Sequence, residues 1–315
     1  MMHPSSSISV SSSPHYLSLL ALTAALLAAG CAALVISAQA LGRQTLPNQA
    51  LLEYQFSKIG SGEAPDTVFV GDSSLGNAVD AKVWSSLSRA PALNLALSAS
   101  FGFASTYNTI RRVLAWTKPR RVVIMQTAEM LRRPLDEDAY LITAPGKLSA
   151  IVRFWRLSMN SQQVWDSALY LASNGPSAFR HGPVRPTHRE SIFVNDYILQ
   201  GPRRAHNPSP EPWKASELRE ENLKYLRLAA ALCSSEGIEC IYAHGPLTEP
   251  NCSNSDEFYR HAARMIRSTG LALATETPIC VPDDEIGDGK DHVRPDLKSE
   301  YTRRYFELLV GKFGR

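Results

Sequence analysis

The sequence lacks a strong excess of either charge. Its 315 residues include 33 Lys and Arg against 30 Asp and Glu, which leaves a formal net charge of +3. A nearly equal number of positive and negative residues does not predict a nucleic-acid partner, because proteins that bind nucleic acid concentrate positive charge on one face. Also missing are a Cys-x-x-Cys pair, a His-Glu-x-x-His helix, a P-loop and a dinucleotide-binding glycine pattern. The sequence therefore predicts neither a metal ion nor a cofactor.

Charge is missing altogether from the first 42 residues. The segment opens with a Ser-rich stretch, residues 1–15, for which we expect a disordered tail. It then runs apolar from Tyr16 to Leu41, which exceeds the roughly 20 residues needed to cross a bilayer core. We therefore predict a transmembrane anchor over 16–41, followed by a juxtamembrane linker over 42–65.

Two other interpretations of the apolar segment are less favoured. A cleaved signal peptide usually has a basic start and a shorter apolar run, and neither is present. Residues 28–31 (Ala-Ala-Gly-Cys) are similar to a lipoprotein cleavage site, but the apolar run continues past Cys31. The positive-inside rule does not give the orientation, since no basic residue precedes the span and Arg43 follows it.

Four cysteines lie outside the anchor, and an even set is typical of proteins in an oxidising compartment. Cys252 and Cys280 stand in loop-like contexts beside prolines, so they are the preferred disulfide pair. The remaining two are Cys233 and Cys240. Four buried thiols are the alternative interpretation.

Short apolar runs alternate with segments of helical periodicity after residue 65. We predict strands at 67–70, 92–96, 121–126, 238–243 and 270–274, and helices at 80–87, 105–116, 217–234, 258–268 and 301–309. This alternation is typical of an α/β fold with a doubly wound parallel sheet, whose ligands bind beyond the carboxyl ends of the strands. The predicted domain spans 66–315.

Residues 131–214 do not fit the alternation, and we interpret them as a long insertion after the third strand. Its first half, 147–173, has helical character, whereas 182–212 is rich in Pro, Arg and His and is typical of irregular surface. Loops of this length are usually functional or disordered. The basic half is suited to an anionic glycan or to lipid headgroups, with an ordinary solvated surface as the alternative.

A Gly-Asp-Ser turn follows the first predicted strand and places Ser73 at its carboxyl end. A serine hydroxyl becomes a nucleophile only when an imidazole takes its proton and a third group orients that imidazole. The Gly-rich loop 287–292, just before the last helix, offers His292 with two nearby carboxylates, Asp288 and Asp291. Both carboxylates are candidates for the orienting acid.

These two segments resemble the first and last sequence blocks of the SGNH (GDSL) hydrolase superfamily, in the same order along the chain. The resemblance implies a flavodoxin-like SGNH fold, with Ser73 as nucleophile, His292 as base and Asp288 or Asp291 as acid. The superfamily commonly places its acid three residues before the histidine, a position that Gly289 occupies here.

Membrane-anchored members associated with cell-surface polysaccharides tolerate a longer loop, which favours Asp288 over Asp291 as the acid. These members also carry a threonine in the following helix, which corresponds to Thr302.

The middle blocks of the superfamily are altered in this sequence. Ala99 occupies the place of the oxyanion-hole glycine, and its backbone N–H can still donate. The asparagine of the third block is absent, with Gln126 or Thr127 as the candidate substitutes. Asn77 and His244 also fall at the predicted active edge, either as substrate contacts or as ordinary turn residues.

The resemblance implies a single-pass protein of the inner membrane, with a periplasmic enzyme domain that acts on acylated carbohydrate of the cell surface. An acyl group on Ser73 would pass to a sugar hydroxyl or to water, so we expect O-acetyl transfer first and a carbohydrate esterase or deacetylase second. A multi-spanning acyltransferase is the expected protein partner.

Two competing interpretations belong to other classes. One is a catalytically silent glycan-binding or assembly protein of the same fold. The other is an unrelated α/β protein in which Gly-Asp-Ser is a coincidence.

Overall fold

A computed structural model describes residues 14–41, 47–159, 161–181 and 210–313. The chain divides into two compact units, one drawn from 1–45 and 154–186 and the other from 46–153 and 187–315. The predicted Ser-rich tail lies outside the described residues except at its end, where Pro14 begins the first helix. Most of the basic half of the predicted insertion also lies outside them.

Helices and strands alternate through the larger unit. The helices of the chain are α1 (Pro14–Ala40), α2 (Pro47–Ser57), α3 (Ser73–Ala78), α4 (Ala81–Ser88), α5 (Gly102–Leu114), α6 (Glu137–Thr143), α7 (Lys147–Ser158), α8 (Ser161–His181), α9 (Leu223–Glu236), α10 (Glu249–Ser253), α11 (Asp256–Arg267) and α12 (Lys298–Val310). The strands are β1 (Thr67–Gly71), β2 (Ala92–Ala96), β3 (Arg121–Gln126), β4 (Glu239–His244), β5 (Leu247–Thr248), β6 (Ala272–Leu273) and β7 (Cys280–Val281).

Helix α1 contains no Asp, Glu, Lys or Arg and is long and apolar enough to cross a membrane. Its 26-residue span from His15 to Ala40 measures about 39 Å at the helical rise, which exceeds the roughly 30 Å of a bilayer core. Only 6% of its most apolar window is buried within the structure. Within the same unit it packs on α8, where the Tyr170 hydroxyl donates to the Leu41 carbonyl over 2.9 Å.

The larger unit contains a five-stranded parallel sheet in the order β2-β1-β3-β4-β6. The predicted α/β class and the parallel strands are therefore confirmed. The registers place Gly71 beside Ala96 and Met125, and Gln126 beside His244. The carboxyl ends of β1 to β4 consequently meet at one edge of the sheet.

Helices cover both faces of this sheet. On one face, Phe69 of β1 packs edge-to-face on Trp84 of α4, at 4.7 Å between ring centroids. That cluster continues through Val123 and Ile241 to Tyr305 of α12. Because side chains alternate along a strand, Tyr242 faces the other side, where its ring lies 6.5 Å from that of Phe103 in α5.

Three features differ from the sequence prediction. Helix α2 occupies part of the segment predicted as a linker. The helix predicted at 217–234 begins only at Leu223, because Asn222 donates to the carbonyls of Met130 and Arg133 and holds the preceding turns against the loop after β3. A small second sheet, β5 with β7, was not predicted, because strands of two residues carry no periodicity.

Candidate active site

Ser73 is the first residue of α3, immediately after β1. Asp72 caps this helix: its carboxylate accepts from the backbone N–H of Ser74 at 3.0 Å and of Thr127 at 2.9 Å, and from the Ser74 hydroxyl. The cap ties the ends of β1 and β3 together and presents the Ser73 side chain at the sheet edge. The turn thus holds a serine hydroxyl at the carboxyl end of β1, where a neighbouring base could activate it.

Glycines on either side of this turn allow the close packing. A Cβ on Gly71 would lie 1.6 Å from the Met125 carbonyl oxygen, and a Cβ on Gly245 would lie 2.0 Å from Ser74 Oγ. No other residue fits at either position without backbone movement. The glycine of Gly-Asp-Ser is therefore required by the approach of β3.

His292 reaches Ser73 from the loop between β7 and α12. Its Nε2 lies 2.8 Å from Ser73 Oγ, and its Nδ1 lies 2.8 Å from Asp288 Oδ1. The two contacts are satisfied together when Nδ1–H donates to the carboxylate and the serine hydroxyl donates to Nε2. The arrangement is that of a serine nucleophile, a base and an orienting acid.

The His292 loop is held closed at several points. Ile286 and Val293 form an antiparallel bridge, and the Gly287 N–H donates to the His292 carbonyl at 2.7 Å. The Lys290 carbonyl accepts from the Thr248 N–H at 2.7 Å, at the end of β5. The imidazole is thus positioned by backbone contacts on both sides of it.

An ion pair also holds this loop, and the sequence analysis missed it. Lys290 Nζ lies 2.6 Å from Glu129 Oε2, and Arg133 contacts the same carboxylate oxygen at 3.4 Å. Glu129 lies in the 3₁₀ turn that follows β3. Burial acts to raise the pKa of Glu129, but the Lys290 and Arg133 contacts outweigh it and lower that pKa. No local signal pairs two residues so far apart in sequence.

Asp288 rather than Asp291 contacts the orienting nitrogen of the ring. Asp291 Oδ1 lies 3.8 Å from Nε2, the nitrogen that faces Ser73. The four-residue separation lets the Asp288 side chain fold back on the ring across Gly289, where a Cβ would lie 3.3 Å from both His292 Nδ1 and Asp291 Oδ1. The preferred acid of the sequence analysis is therefore the one that the fold brings to Nδ1.

The three side chains of the site are mostly buried, and each keeps a small exposed fraction. Ser73 is 8% exposed, and the side chains of His292 and Asp288 are 16% and 15% exposed. Burial acts to lower the pKa of His292, but the hydrogen bond to Asp288 and the charges of Asp291, Asp288 and Asp72 outweigh it and raise that pKa. Burial, with the charge of Asp291, raises the pKa of Asp72 to about 6 against the effect of its hydrogen bonds.

The oxyanion candidates divide into two groups. Ala99 begins the 3₁₀ turn after β2 and is partly exposed at the active edge. The Thr127 N–H already donates to Asp72, and the Gln126 amide donates to Thr106 and Gly102 on the α5 side of the sheet. The structure therefore brings neither the Gln126 side chain nor the Thr127 N–H to Ser73.

His244 and Asn77 are both buried. The His244 ring lies against the rings of Tyr242 and Tyr259, on the α5 side, and burial lowers its pKa to about 4. Asn77, a residue of α3, is fully buried. These positions favour packing over substrate contact for both residues.

Thr302 links two helices on the α12 side of the sheet. Its hydroxyl oxygen accepts from the Asp80 N–H at 2.8 Å, and the hydroxyl lies 2.8 Å from the Lys298 carbonyl oxygen. It thereby ties the start of α4 to α12.

Two disulfides are present, Cys252–Cys280 and Cys233–Cys240. The first is the pair predicted from sequence. It connects α10 to β7, and β7 pairs with β5, whose Thr248 holds the His292 loop. The disulfide therefore supports the His292 loop indirectly, through β7 and β5.

Comparison of the chain with protein-family models, with curated proteins and with solved structures returned no match.

Proposed function

We propose that this protein is a membrane-anchored serine acyl-ester enzyme of SGNH type that transfers O-acetyl groups on cell-surface polysaccharide. The observation that carries the proposal is the hydrogen-bonded series from Ser73 through His292 to Asp288, with both bonds at 2.8 Å. Three residues from two segments 219 positions apart supply a nucleophile, a base and an orienting acid in one contiguous site.

The chemistry follows from these positions. His292 takes the proton of Ser73 as Oγ attacks an ester carbonyl, and Asp288 stabilises the imidazolium that forms. The leaving alcohol receives the proton, and the acyl group remains on Ser73. An incoming hydroxyl then reverses the steps: a sugar hydroxyl gives transfer, and water gives hydrolysis.

The backbone N–H groups of Ser73 and Ala99 are the proposed donors to the developing oxyanion. Ser73 is at the start of α3, where the first N–H groups of a helix are free of intrahelical partners, and Ala99 follows β2 at the same edge. Loss of one such donor typically slows an enzyme by about 10²- to 10³-fold. Replacement of the usual glycine by alanine retains this donor.

The proposed location is the outer side of the inner membrane. Helix α1 is long and apolar enough for a membrane span. The two disulfides support an oxidising compartment, because such bonds rarely persist in a reducing cytosol. The strand order 2-1-3-4-6, in which β6 is the fifth strand of the sheet, is consistent with the flavodoxin-like topology of the proposed superfamily.

A serine-directed fluorophosphonate probe tests the proposal without knowledge of the substrate. Ser73 Oγ should displace fluoride from phosphorus, so that the purified full chain becomes covalently labelled. Ser73→Ala should abolish labelling, and His292→Ala should slow it by more than about 100-fold because the base is lost. Ser86→Ala is the matched control, since Ser86 is an exposed serine of α4.

Absence of Ser73-dependent labelling would favour the catalytically silent binding protein. If labelling is present, the fate of an acetyl group from p-nitrophenyl acetate separates the two enzyme classes. Release of free acetate alone indicates an esterase, whereas an acetylated carbohydrate product indicates a transferase.

A further inference from the structure

The Asp291 carboxylate occupies an unusual place for an acidic side chain in a serine site. Ser73 Oγ and Asp291 Oδ1 both lie within 3.8 Å of the same ring nitrogen, His292 Nε2. Asp288 Oδ1 already accepts a hydrogen bond from the other ring nitrogen, Nδ1. Asp291 therefore faces the space in which acyl chemistry takes place.

This carboxylate is also short of hydrogen-bond donors. Its side chain is only 14% exposed, and within the described part of the chain no group donates a hydrogen bond to it. A mostly buried carboxylate is costly unless donors satisfy its oxygens. By contrast, Asp72, which is only 1% exposed, accepts from Ser74 and Thr127. The Asp291 oxygens therefore remain free to accept from water or from a molecule that enters the site.

The second half of the proposed reaction brings a hydrogen-bond donor, the acyl acceptor, close to Asp291. Once Ser73 carries the acyl group, Nε2 must deprotonate the incoming hydroxyl, which therefore lies within hydrogen-bond distance of Nε2. The Asp291 oxygen is 3.8 Å from the same nitrogen. A second hydroxyl on the neighbouring carbon of the acceptor can reach it.

We propose that Asp291 accepts a hydrogen bond from a second hydroxyl of the acyl acceptor, and so selects a neutral polyol; this inference rests on the proposed function of Ser73. Simple alcohols have only the hydroxyl that reacts. An anionic acceptor is repelled by the carboxylates of Asp72, Asp288 and Asp291. An amine is held in its protonated, non-nucleophilic form beside a carboxylate.

The transfer step balances. The reacting hydroxyl gives its proton to Nε2 as its oxygen attacks the acyl carbon, and collapse of the tetrahedral intermediate breaks the bond from that carbon to Ser73 Oγ. The imidazolium returns the proton to Oγ. Asp291 holds the neighbouring hydroxyl throughout and exchanges no proton.

Two acceptors that differ by one hydroxyl provide the test. Ethylene glycol and its monomethyl ether, 2-methoxyethanol, are offered separately to the full chain with p-nitrophenyl acetate as acyl donor. The ratio of acetylated alcohol to free acetate is measured for each. The wild type should favour the diol by about tenfold per reacting hydroxyl, as expected for a hydrogen bond to a charged group.

Asp291→Asn should reduce this preference to within about twofold, since an amide is a weaker acceptor. Asp288→Asn should slow acylation but keep the preference, because it acts on the opposite ring nitrogen. Asp284→Asn, which alters an exposed carboxylate of the same segment, is the control for charge alone. Once the acetate released without enzyme is subtracted, each ratio is internal to one sample, so incomplete folding of a variant does not change it.

A wild type with no diol preference, or an Asp291→Asn variant that keeps it, would overturn the inference and leave the serine enzyme intact. Absence of any Ser73-dependent release of p-nitrophenol would instead remove the proposed function, and the inference with it. Asp291→Glu provides a further check: its longer side chain should displace the acceptor and lower transfer more than hydrolysis.

Discussion

Replacing Asp288 by asparagine separates the roles of the two carboxylates beside His292. The change keeps the size of the side chain but removes its charge. It also leaves an N–H₂ group able to face Nδ1, which favours the wrong ring tautomer. Nε2 would then carry the hydrogen and could no longer accept the Ser73 proton.

The size of the effect can be estimated from the geometry. The imidazolium and carboxylate are in direct contact at 2.8 Å, with side chains 16% and 15% exposed, so little solvent screens them. At an effective dielectric constant of about 20, two charges about 4 Å apart attract by about 4 kcal/mol. With about 1.4 kcal/mol for each factor of ten, Asp288→Asn should slow acylation by about 10²- to 10⁴-fold.

The assay is the second-order rate of fluorophosphonate labelling, measured across pH 5 to 9. Only neutral His292 acts as a base, so the wild-type rate rises with pH through the raised pKa of His292. Asp288→Asn should lower the plateau and move the midpoint to lower pH, because a contact that raises this pKa is lost. Asp291→Asn should also lower the midpoint, with a plateau loss at least about tenfold smaller, since Asp291 does not hold the tautomer.

Equal plateau losses in the two variants, or a larger loss for Asp291→Asn, would refute the assignment of Asp288 as the orienting acid. Full recovery of Asp288→Asn at high pH would show that charge alone matters, and that the hydrogen bond to Nδ1 does not.

Three further predictions concern the supports of the site. Removal of the Cys252–Cys280 disulfide should lower the free energy of unfolding by about 3 to 4 kcal/mol, and removal of Cys233–Cys240 by about 2 kcal/mol. The first effect is larger because Cys252–Cys280 closes the longer loop. Urea unfolding of the two paired Cys→Ser variants measures both effects. Glu129→Gln and Lys290→Met should each slow labelling several-fold, with the double variant no slower than the worse single one, because one ion pair is lost in all three. Burial, and then the charge of Asp291, raises the pKa of Asp72 to about 6. The folded chain therefore binds the carboxyl proton of Asp72 more tightly than the unfolded chain does. The contribution of Asp72 to stability should therefore fall as pH rises from about 4 to about 6 and stay constant above, a slope that urea unfolding should show for the wild type but not for Asp72→Asn.

Several parts of the fold were accessible from local sequence. The alternation of apolar runs with helical periodicity predicted the parallel strands, because burial on both faces leaves continuous apolar segments. The uncharged N-terminal segment indicated a helix long enough for a membrane. The turn at Ser73 and the loop at His292 were visible as short motifs with a known chemical use. The Cys252–Cys280 pair followed from its proline-flanked loops.

Only the tertiary structure decided which residues of these motifs meet. Asp288 and Asp291 are equivalent in composition, and the path of one loop around Gly289 sends them to opposite nitrogens of His292. The side chain at the end of each strand could likewise lie on either face of the sheet. Gln126 and His244 fall on the α5 side, because side chains alternate and their neighbours Met125 and Ala243 pack toward α12.

The physical reason is the range over which each interaction acts. Periodicity and capping depend on neighbours within a few residues, so they can be recognised in the sequence itself. The bond from Ser73 to His292 joins positions 219 residues apart, and the Glu129–Lys290 contact also depends on how separate strands register. Those distances exist only once the sheet has formed and has brought its strand ends to one edge.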